Sequence, residues 1–466
     1  MIALYFAFFL CSRKAISTVK TSLKEQWMGA ELPCETVGWA NATQVCLRQD
    51  EYVRGSDLFV TFAGAANFLG VLDFAYEMVY ALGLFFTGFI ADRYEQRKAL
   101  TIGMIGTGIG CVLFGYLTEK IHFYDYFFYV FIWGMTGFFQ SWGFPSEVST
   151  MGKWFSRKTR GAMMGLWSTS VNFGNIGGAW LGASLLHYGY EYVFLVNGAM
   201  MFFGGIVIFF GLVSEPTDIG LPSPNVEQHA RKEVEERKER PPPISFWKAC
   251  FLPGVLPCSF AYFGIKLINY CFFFWLPFYL TTKYGWHEAV ADRLSTFYDF
   301  GGISSFAVGL FTDRFKTRYP TLIGMMLVAV AAIYIYAGLP ASMVLNAIVM
   351  LIMGACIAGA SNLFCSCLTI DLGHTPALEG NTEAMATVTG IIDGTGSTGA
   401  AVGQLFLPLL MNWIGWDAVF YMFIFFGLFT VACMLPFLWN DIKRWKQEYK
   451  DWRAQKEEDR RPIITG

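Results

Sequence analysis

Residues 88–93 read Gly-Phe-Ile-Ala-Asp-Arg, and residues 309–314 read Gly-Leu-Phe-Thr-Asp-Arg, 221 positions later. Each hexapeptide ends a long apolar stretch and is followed by further basic residues. A second pair of matching segments, at 189–194 and 415–420, recurs at an offset of 226 positions. Two motifs that return in the same order and at nearly the same spacing indicate an internal duplication of the chain.

The composition is typical of a membrane protein. Of the 466 residues, 55% are hydrophobic and only 15% are charged, and the mean hydropathy is +0.42. A soluble domain carries about a quarter charged residues, so the composition disfavours a cytosolic enzyme and a disordered chain. A net charge of −2 provides no field that would attract polyanions, and we expect no nucleic-acid partner.

Twelve apolar stretches approach or exceed the roughly 20 residues that cross a bilayer. They lie at 1–23, 59–91, 99–118, 124–150, 161–187, 191–213, 248–281, 291–312, 320–340, 343–370, 383–411 and 417–439. With the duplication, they predict an all-α membrane protein of twelve transmembrane helices in two pseudo-symmetric six-helix bundles. The predicted units are an N-terminal bundle (1–213), a charged linker with a short helical piece (214–247), a C-terminal bundle (248–439) and a charged tail (440–466).

Positive charge is distributed unequally between the two sides of the predicted membrane. The connections on one side, with the tail, carry 24 Lys and Arg, and those on the other carry six. Because the basic side is usually cytosolic, we expect both termini and the linker in the cytosol. The loop over 25–58 then faces a lumen or the exterior. There, Asn41 in Asn-Ala-Thr is a glycosylation acceptor, and Cys34 and Cys46 can form a disulfide.

Two of the cations within the spans occupy matching places in the two halves. Arg13 lies in span one and Lys266 lies in span seven. Ionisable groups within a membrane are costly and mark functional sites. We interpret Arg13 and Lys266 as facing cations that require a dianion such as phosphate between them, because a guanidinium fork matches phosphate oxygens. The alternative is that either cation pairs with a carboxylate of another span or reaches the interface.

Carboxylates within the spans are the candidates for that pairing. Asp73, Glu77, Asp299 and Asp393 each could carry a proton or form an ion pair. The coupling or ion-pair candidates are Lys14, Glu77 and Asp393.

Polar and aromatic side chains of spans four, five and seven complete the predicted lining, since hydroxyl partners and a flat stacking face suit a sugar ring. The lining residues are Gln140, Asn172, Asn269, Tyr270 and Trp275. The duplicated hexapeptides supply charges that can hold one side shut. These gate residues are Asp92, Arg93, Asp313 and Arg314. No metal-ligand spacing, nucleotide-binding loop or hydrolytic constellation is present in the sequence, so we expect no metal, no cofactor and no enzymatic activity.

The duplicated Gly-x-x-x-Asp-Arg motif resembles the major facilitator superfamily, which implies alternating access of two bundles around a midplane site. Arg13-Lys14, Gly143-Phe144-Pro145 and the basic segment 153–161 resemble the organophosphate:phosphate antiporters. Within that family, segments 272–280 and 387–396 resemble the eukaryotic sugar phosphate exchangers, and the resemblance covers essentially the whole chain. It implies exchange of a phosphorylated small molecule for inorganic phosphate across an endoplasmic reticulum or lysosomal membrane.

The resemblance also carries over individual residues. The phosphate-binding Arg of span one falls on Arg13, and the Gln of span four falls on Gln140. The bacterial members have a second Arg in span seven, where this chain offers Lys266 with Asn269 as the other candidate. They have a His in span five, and the matching position here is near Val171, with Ser170 and Asn172 beside it.

Three functions remain open from the sequence. The leading hypothesis is a phosphate-coupled antiporter. The second is a proton-driven organic anion symporter that uses Glu77 or Asp393. The third is a membrane receptor or assembly subunit without transport, whose linker and tail dock an accessory membrane subunit.

Overall fold

The computed structural model describes residues 2–28, 35–36, 44–45, 58–59, 61–91, 95–155, 157–221, 246–304, 319–373 and 382–458. Within these ranges one short antiparallel pair, β1 (Glu35–Thr36) with β2 (Gln44–Val45), accompanies a helical structure. Asn41, Cys34 and Cys46 lie outside the described residues, as does the helical piece expected in the linker, so these expectations stay predictions.

The first half of the chain forms nine helices within the described residues. They are α1 (Ile2–Thr18), α2 (Lys20–Met28), α3 (Phe62–Ala91), α4 (Gln96–Cys111), α5 (Thr118–Ile121), α6 (Tyr126–Gln140), α7 (Gly143–Trp154), α8 (Arg157–Leu185) and α9 (Tyr190–Gly211). A π-helical segment, Val112–Leu117, joins α4 to α5, so that Gln96–Ile121 is continuous. Short 3-10 helices lie at Leu186–Tyr188 and Pro216–Ile219.

The second half forms seven helices within the described residues. They are α10 (Phe246–Cys250), α11 (Val255–Tyr284), α12 (Glu288–Ile303), α13 (Tyr319–Ala337), α14 (Met343–Gly373), α15 (Thr382–Trp413) and α16 (Trp416–Glu458). Within the described residues, each predicted span coincides with one helix or with successive helical segments. The main difference is α16, which continues into the predicted tail as far as Glu458, as a single helix with mixed charges.

Equivalent helices pack together in the two halves. In the first half, α1 packs on α8, α3 on α6 and α4 on α9. In the second half, α11 packs on α15, α12 on α14 and α13 on α16. Between the halves, α3 contacts α15 and α8 contacts α12. This arrangement confirms two pseudo-symmetric bundles; we call α1–α9 the first bundle and α10–α16 the second.

Small residues on α8 fix the rotation of α1. A Cβ atom at Gly174 would lie 2.6 Å from the Ala7 carbonyl oxygen, and one at Gly178 would lie 3.0 Å from Cys11 O. Residues four apart share a helix face, and small residues let helices approach closely in lipid. The close contact sets the rotation of α1 and therefore the directions in which the side chains of Arg13 and Lys14 point.

The outer surface is apolar. Phe127, Phe210 and Trp413 are 79%, 80% and 84% exposed, and soluble proteins rarely expose such surfaces together. Six continuous helical segments in the described part are long and apolar enough to cross a bilayer. They are Gln96–Ile121, Tyr190–Gly211, Val255–Tyr284, Tyr319–Ala337, Met343–Asn362 and Trp416–Gln447. The chain is a multi-pass integral membrane protein.

We call the end of the bundles where α2 ends and α3 begins the loop side, and the opposite end, where α1 begins, the terminal side. The bundles meet on the loop side. Ser17 Oγ donates to Phe273 O at 3.0 Å, and Asn412 Nδ2 donates to Asn67 Oδ1 at 2.9 Å. All hydrogen bonds between the bundles that the described residues show lie in the loop half or at mid-depth, so the carrier is closed on the loop side.

Candidate functional site

Arg13 is enclosed by groups from both bundles. Its Nη2 donates to Glu77 Oε1 on α3, and Arg13 and Glu77 are only 4% and 1% exposed. Four aromatic rings lie 4.9–5.9 Å from the guanidinium carbon, a distance at which cation–π attraction stabilises the charge. The rings belong to Tyr76 and Tyr80 of α3 and to Tyr270 and Phe274 of α11.

The guanidinium retains hydrogen-bonding capacity. An Arg side chain has five N–H donors, and within the described residues Arg13 makes the one hydrogen bond to Glu77. Its Nε is buried without a partner there. Free donors of this kind can bind an additional anionic oxygen while Glu77 stays in place.

Gln140 belongs to the same network. The Tyr76 hydroxyl donates to Gln140 Oε1, and Gln140 Nε2 donates to Ser12 Oγ at 3.1 Å. Gly137 makes this possible, because a Cβ atom there would lie 2.5 Å from the Tyr76 carbonyl oxygen. The network ties α1, α3 and α6 together immediately beside Arg13.

Lys266 forms the corresponding pair in the second bundle. Its Nζ donates to Asp393 Oδ1 at 2.8 Å and to Ser397 Oγ at 3.1 Å. Gly396 lies on the same face of α15, and a Cβ atom there would lie 3.0 Å from Lys266 Cδ. The Lys266 and Asp393 side chains are 10% and 26% exposed, so this pair is more accessible than the pair of Arg13.

The two ion pairs are neighbours across the bundle interface. Tyr80 of the first bundle interacts electrostatically with both Arg13 and Asp393. Tyr270 of the second bundle places its ring 4.9 Å from the Arg13 guanidinium carbon. Tyr80 therefore links the Arg13–Glu77 pair of the first bundle to Asp393, the partner of Lys266 in the second.

The expectation of two uncompensated cations is wrong for this state. Arg13 and Lys266 are each paired with a carboxylate of their own bundle, which is the alternative that the sequence left open. An isolated buried charge is too costly, so each bundle supplies a counter-ion, Glu77 or Asp393. Mutual repulsion of bare cations is therefore not what selects the ligand.

A third ion pair has a different environment. Lys20 and Asp73 are paired with side chains 0% exposed, and Lys20 Nζ lies 3.6 Å from the Trp275 ring centroid. Trp275 Nε1 donates to Gln404 Oε1 at 2.8 Å. Trp275, expected to line the cavity, is buried, and its indole covers the ammonium group of this ion pair.

Two predicted lining residues lie at helix contacts. Asn269 Oδ1 accepts a hydrogen bond from the Tyr298 hydroxyl at 2.8 Å. Asn172 is buried where α8 meets α12, and a Cβ atom at Gly302 would lie 2.7 Å from its Oδ1. The structure thus places Gln140 and Tyr270 beside the Arg13–Glu77 pair. It places Asn172 at the contact between α8 and α12 instead.

Lys14 is not paired with a carboxylate at hydrogen-bond distance in the described part. Its Nζ donates to Phe273 O at 2.8 Å, across the bundle interface. Its electrostatic neighbours are Asp299 and Asp292 on α12. Asp292 is not among the residues expected from the sequence, although its seven-residue spacing from Asp299 places both on one helix face.

Glu288 was also missed, because it stands just before the predicted span. It accepts hydrogen bonds from Thr21 N at 2.8 Å, from Ser22 N at 3.2 Å and from Ser22 Oγ. These amides belong to the first turn of α2, whose N–H groups lack partners within the helix. A carboxylate of the second bundle therefore caps a helix of the first and helps to close the loop side.

The gate residues Asp92, Arg93, Asp313 and Arg314 lie outside the described residues. In the described part, no group of three or more His, Cys, Asp and Glu side chains could hold a metal ion.

Comparisons with known proteins bear on the resemblance. The family model described as Major Facilitator Superfamily matches residues 4–378. Sugar phosphate exchanger 3 of Xenopus laevis is 41% identical over 471 residues, covering 96% of this chain and 92% of the relative. The Homo sapiens protein of the same name is 40% identical over 460 residues, covering 92% and 90%.

A solved structure agrees at the level of the fold. The crystal structure of a D-xylose-proton symporter covers 93% of this chain and 95% of its own chain, with a TM-score of 0.67 and 12% sequence identity. Fold and sequence similarity both confirm the resemblance drawn from the duplicated motif. The chain belongs to the major facilitator superfamily and, within it, to the family of the sugar phosphate exchangers.

Proposed function

We propose that the chain exchanges a phosphorylated organic anion for inorganic phosphate by alternating access. The names of the relatives support this class of substrate. The observation that carries the proposal is that Tyr80, which packs on Arg13, also interacts with Asp393, the partner of Lys266 in the other bundle. A single anion bound there would contact both bundles.

Arg13 and Lys266 accommodate the anion differently. Arg13 keeps its bond to Glu77 and offers its free N–H donors, which suit phosphate oxygens arranged in a fork. Lys266 releases Asp393, because that carboxylate is partly exposed and can turn to water. The dianion then replaces Asp393 as the partner of Lys266, and Gln140 holds Tyr76 beside the guanidinium.

Antiport follows if the anion links the bundles while they change access. In the empty carrier Arg13 and Lys266 are each neutralised within their own bundle, so no charged partner is shared between these two cations. A bound dianion supplies one, and it biases the equilibrium by its differential affinity for the occluded state. Substrate and phosphate compete for one site, and each therefore promotes the return of the other.

The membrane orientation belongs to the same proposal. The unequal Lys and Arg distribution supports cytosolic termini, so the loop side faces the lumen of the endoplasmic reticulum or lysosome. Asn41 is then the glycosylation acceptor, and Cys34 with Cys46 forms a luminal disulfide. The charges of the two hexapeptides close the cytosolic side in the opposite state.

Proteoliposomes loaded with inorganic phosphate test the function. We expect uptake of labelled phosphate, and of a subset from a panel of sugar and glycerol phosphates, only when phosphate or substrate is present inside. Uptake that needs a pH gradient and no internal anion would contradict antiport and support proton-driven symport. Absence of any flux, with a stable co-purifying membrane subunit, would support a non-transporting component.

A further inference from the structure

One face of α12 carries carboxylates that the proposed transport cycle does not use. Asp292 is 0% exposed and Asp299 is 4% exposed. Neither carboxylate oxygen of Asp292 has a hydrogen-bond partner within the described residues. Asp299 Oδ1 accepts from Asn175 Nδ2 at 3.0 Å, whereas its Oδ2 has none there. Buried carboxylates without donors are unusual, because an ionised group normally recruits partners.

Lys14 is the cation that faces them. Lys14 is 2% exposed and interacts electrostatically with both Asp299 and Asp292. The one hydrogen bond that it makes within the described residues is donated to Phe273 O. The two acids thus share one base, which leaves one negative charge uncompensated if all three groups are ionised. A proton on one acid removes that imbalance.

Among the described residues, Lys14 is the cation that acts on Asp292 and Asp299, and Lys24 of α2 acts on Glu288 instead. The facing group on α12 itself is Glu288, whose like charge adds to the imbalance. On α8, Asn175 is neutral, and Trp180 lies under Arg293, whose guanidinium carbon is 5.7 Å from the indole centroid. Tyr298, also on α12, is a further titratable group that interacts with Asp299, and Cys356 of α14 interacts with this tyrosine.

We propose that Asp292, with Asp299 and Lys14, forms a proton-binding site that loads from the loop side when the bundles close there. Asp292 lies one helical turn, about 6 Å, below Glu288, and Glu288 makes the contact that closes this side. Opening exposes Asp292 to water as a carboxylate; closing transfers a proton from loop-side water to one of its oxygens. The closed state binds one more proton, so a lower pH on the loop side favours closure.

Glu288 is a second buried carboxylate on α12, and its protonation must be separated from that of Asp292. Burial raises the pKa of Glu288 to about 7, against the lowering effect of its hydrogen bonds to Ser22 and Thr21, while neighbouring Glu25 raises it further. The tests therefore use a Glu288→Gln background, in which the remaining pH dependence is assigned to the site of Asp292, Asp299 and Lys14.

Infrared spectroscopy of the purified protein observes the proton directly. Near neutral pH we expect the C=O band of a buried protonated carboxylic acid, absent in Asp292→Asn, shifted in Asp292→Glu and retained in Asp299→Asn. The shift in Asp292→Glu keeps the assignment testable if Asp292→Asn does not fold. A band unchanged in both Asp292 variants would overturn the proposal.

Spin labels at Thr61→Cys and Trp413→Cys report the loop-side distance between the bundles, with accessible native cysteines replaced. We expect the short-distance population to increase as pH falls, and Asp292→Asn to stay at the short distance at every pH. Equal pH dependence with and without Asp292 would contradict the site. Neither readout requires phosphate, so failure of phosphate exchange leaves this proposal intact.

Discussion

Arg13→Gln combined with Glu77→Gln is expected to abolish phosphate exchange while leaving a folded carrier. Removing a buried charge that contacts an ionic ligand costs about 2–5 kcal/mol, or roughly 30- to several-thousand-fold in affinity. Removing Glu77 at the same time avoids leaving its buried carboxylate without a partner. Phosphate exchange in proteoliposomes measures the activity of the variant. Its elution profile in size-exclusion chromatography and its thermal stability show whether it is folded.

Two further variants separate charge from geometry at this position. Arg13→Gln alone leaves Glu77 buried and unpaired, which costs about 3–5 kcal/mol of stability, so its loss of activity would be ambiguous. Arg13→Lys retains the charge without the planar fork, and we expect weaker phosphate exchange than in the wild type. Wild-type exchange by the double Gln variant would remove Arg13 from the binding site.

Lys20→Met is expected to destabilise the protein by about 3–5 kcal/mol, because it leaves the buried Asp73 carboxylate without its cationic partner. Both side chains are completely buried, and the Trp275 ring covers the ammonium group. The loss is measured as a lower midpoint in thermal unfolding of the detergent-solubilised protein. Asp73→Leu alone should have a similar effect, since it strands Lys20 instead.

The control is the double variant Lys20→Met with Asp73→Leu. Replacing a whole buried ion pair by apolar side chains is often neutral or stabilising, so we expect stability and phosphate exchange close to wild type. This result distinguishes a structural pair from the pairs of Arg13 and Lys266. A stable double variant without exchange would show that Lys20 or Asp73 takes part in transport.

Much of the fold could be predicted because the relevant signals are local. Span lengths follow from the apolar stretches, and the hexapeptides at 88–93 and 309–314 mark equivalent helix ends. The same reasoning found Arg13 and Lys266, because a cation inside an apolar stretch is conspicuous in any sequence. Their matching positions in the two halves follow from the duplication.

The partners of these cations could not be predicted, because helix rotation and depth decide them. Glu77 and Asp393 were recognised as candidates for ion pairs, but Asp73 was equally plausible. The glycine contacts of α8 set how α1 is rotated, and this rotation turns Arg13 to Glu77 on α3. Trp275 illustrates why depth matters. Its aromatic ring suggests a stacking face for a sugar, whereas its depth in α11 places the ring over Lys20.

Glu288 and Asp292 were overlooked for a different reason. In the sequence, a carboxylate at the start of a span looks like an ordinary surface residue. It becomes buried only because the other bundle contacts it. Contacts between bundles join residues that are more than 120 positions apart, and they change with the transport state. A single sequence carries no local signal for them.

The central claim is that a cation from each bundle binds the same anion, and Lys266 provides its most direct test. Equilibrium binding of labelled inorganic phosphate is compared between the wild type and the variant Lys266→Gln with Asp393→Asn, which removes the pair without leaving an unpaired carboxylate. The account predicts that phosphate binds at least about 30-fold more weakly to the variant, corresponding to roughly 2 kcal/mol. Phosphate binding of wild-type strength in a folded variant would contradict it.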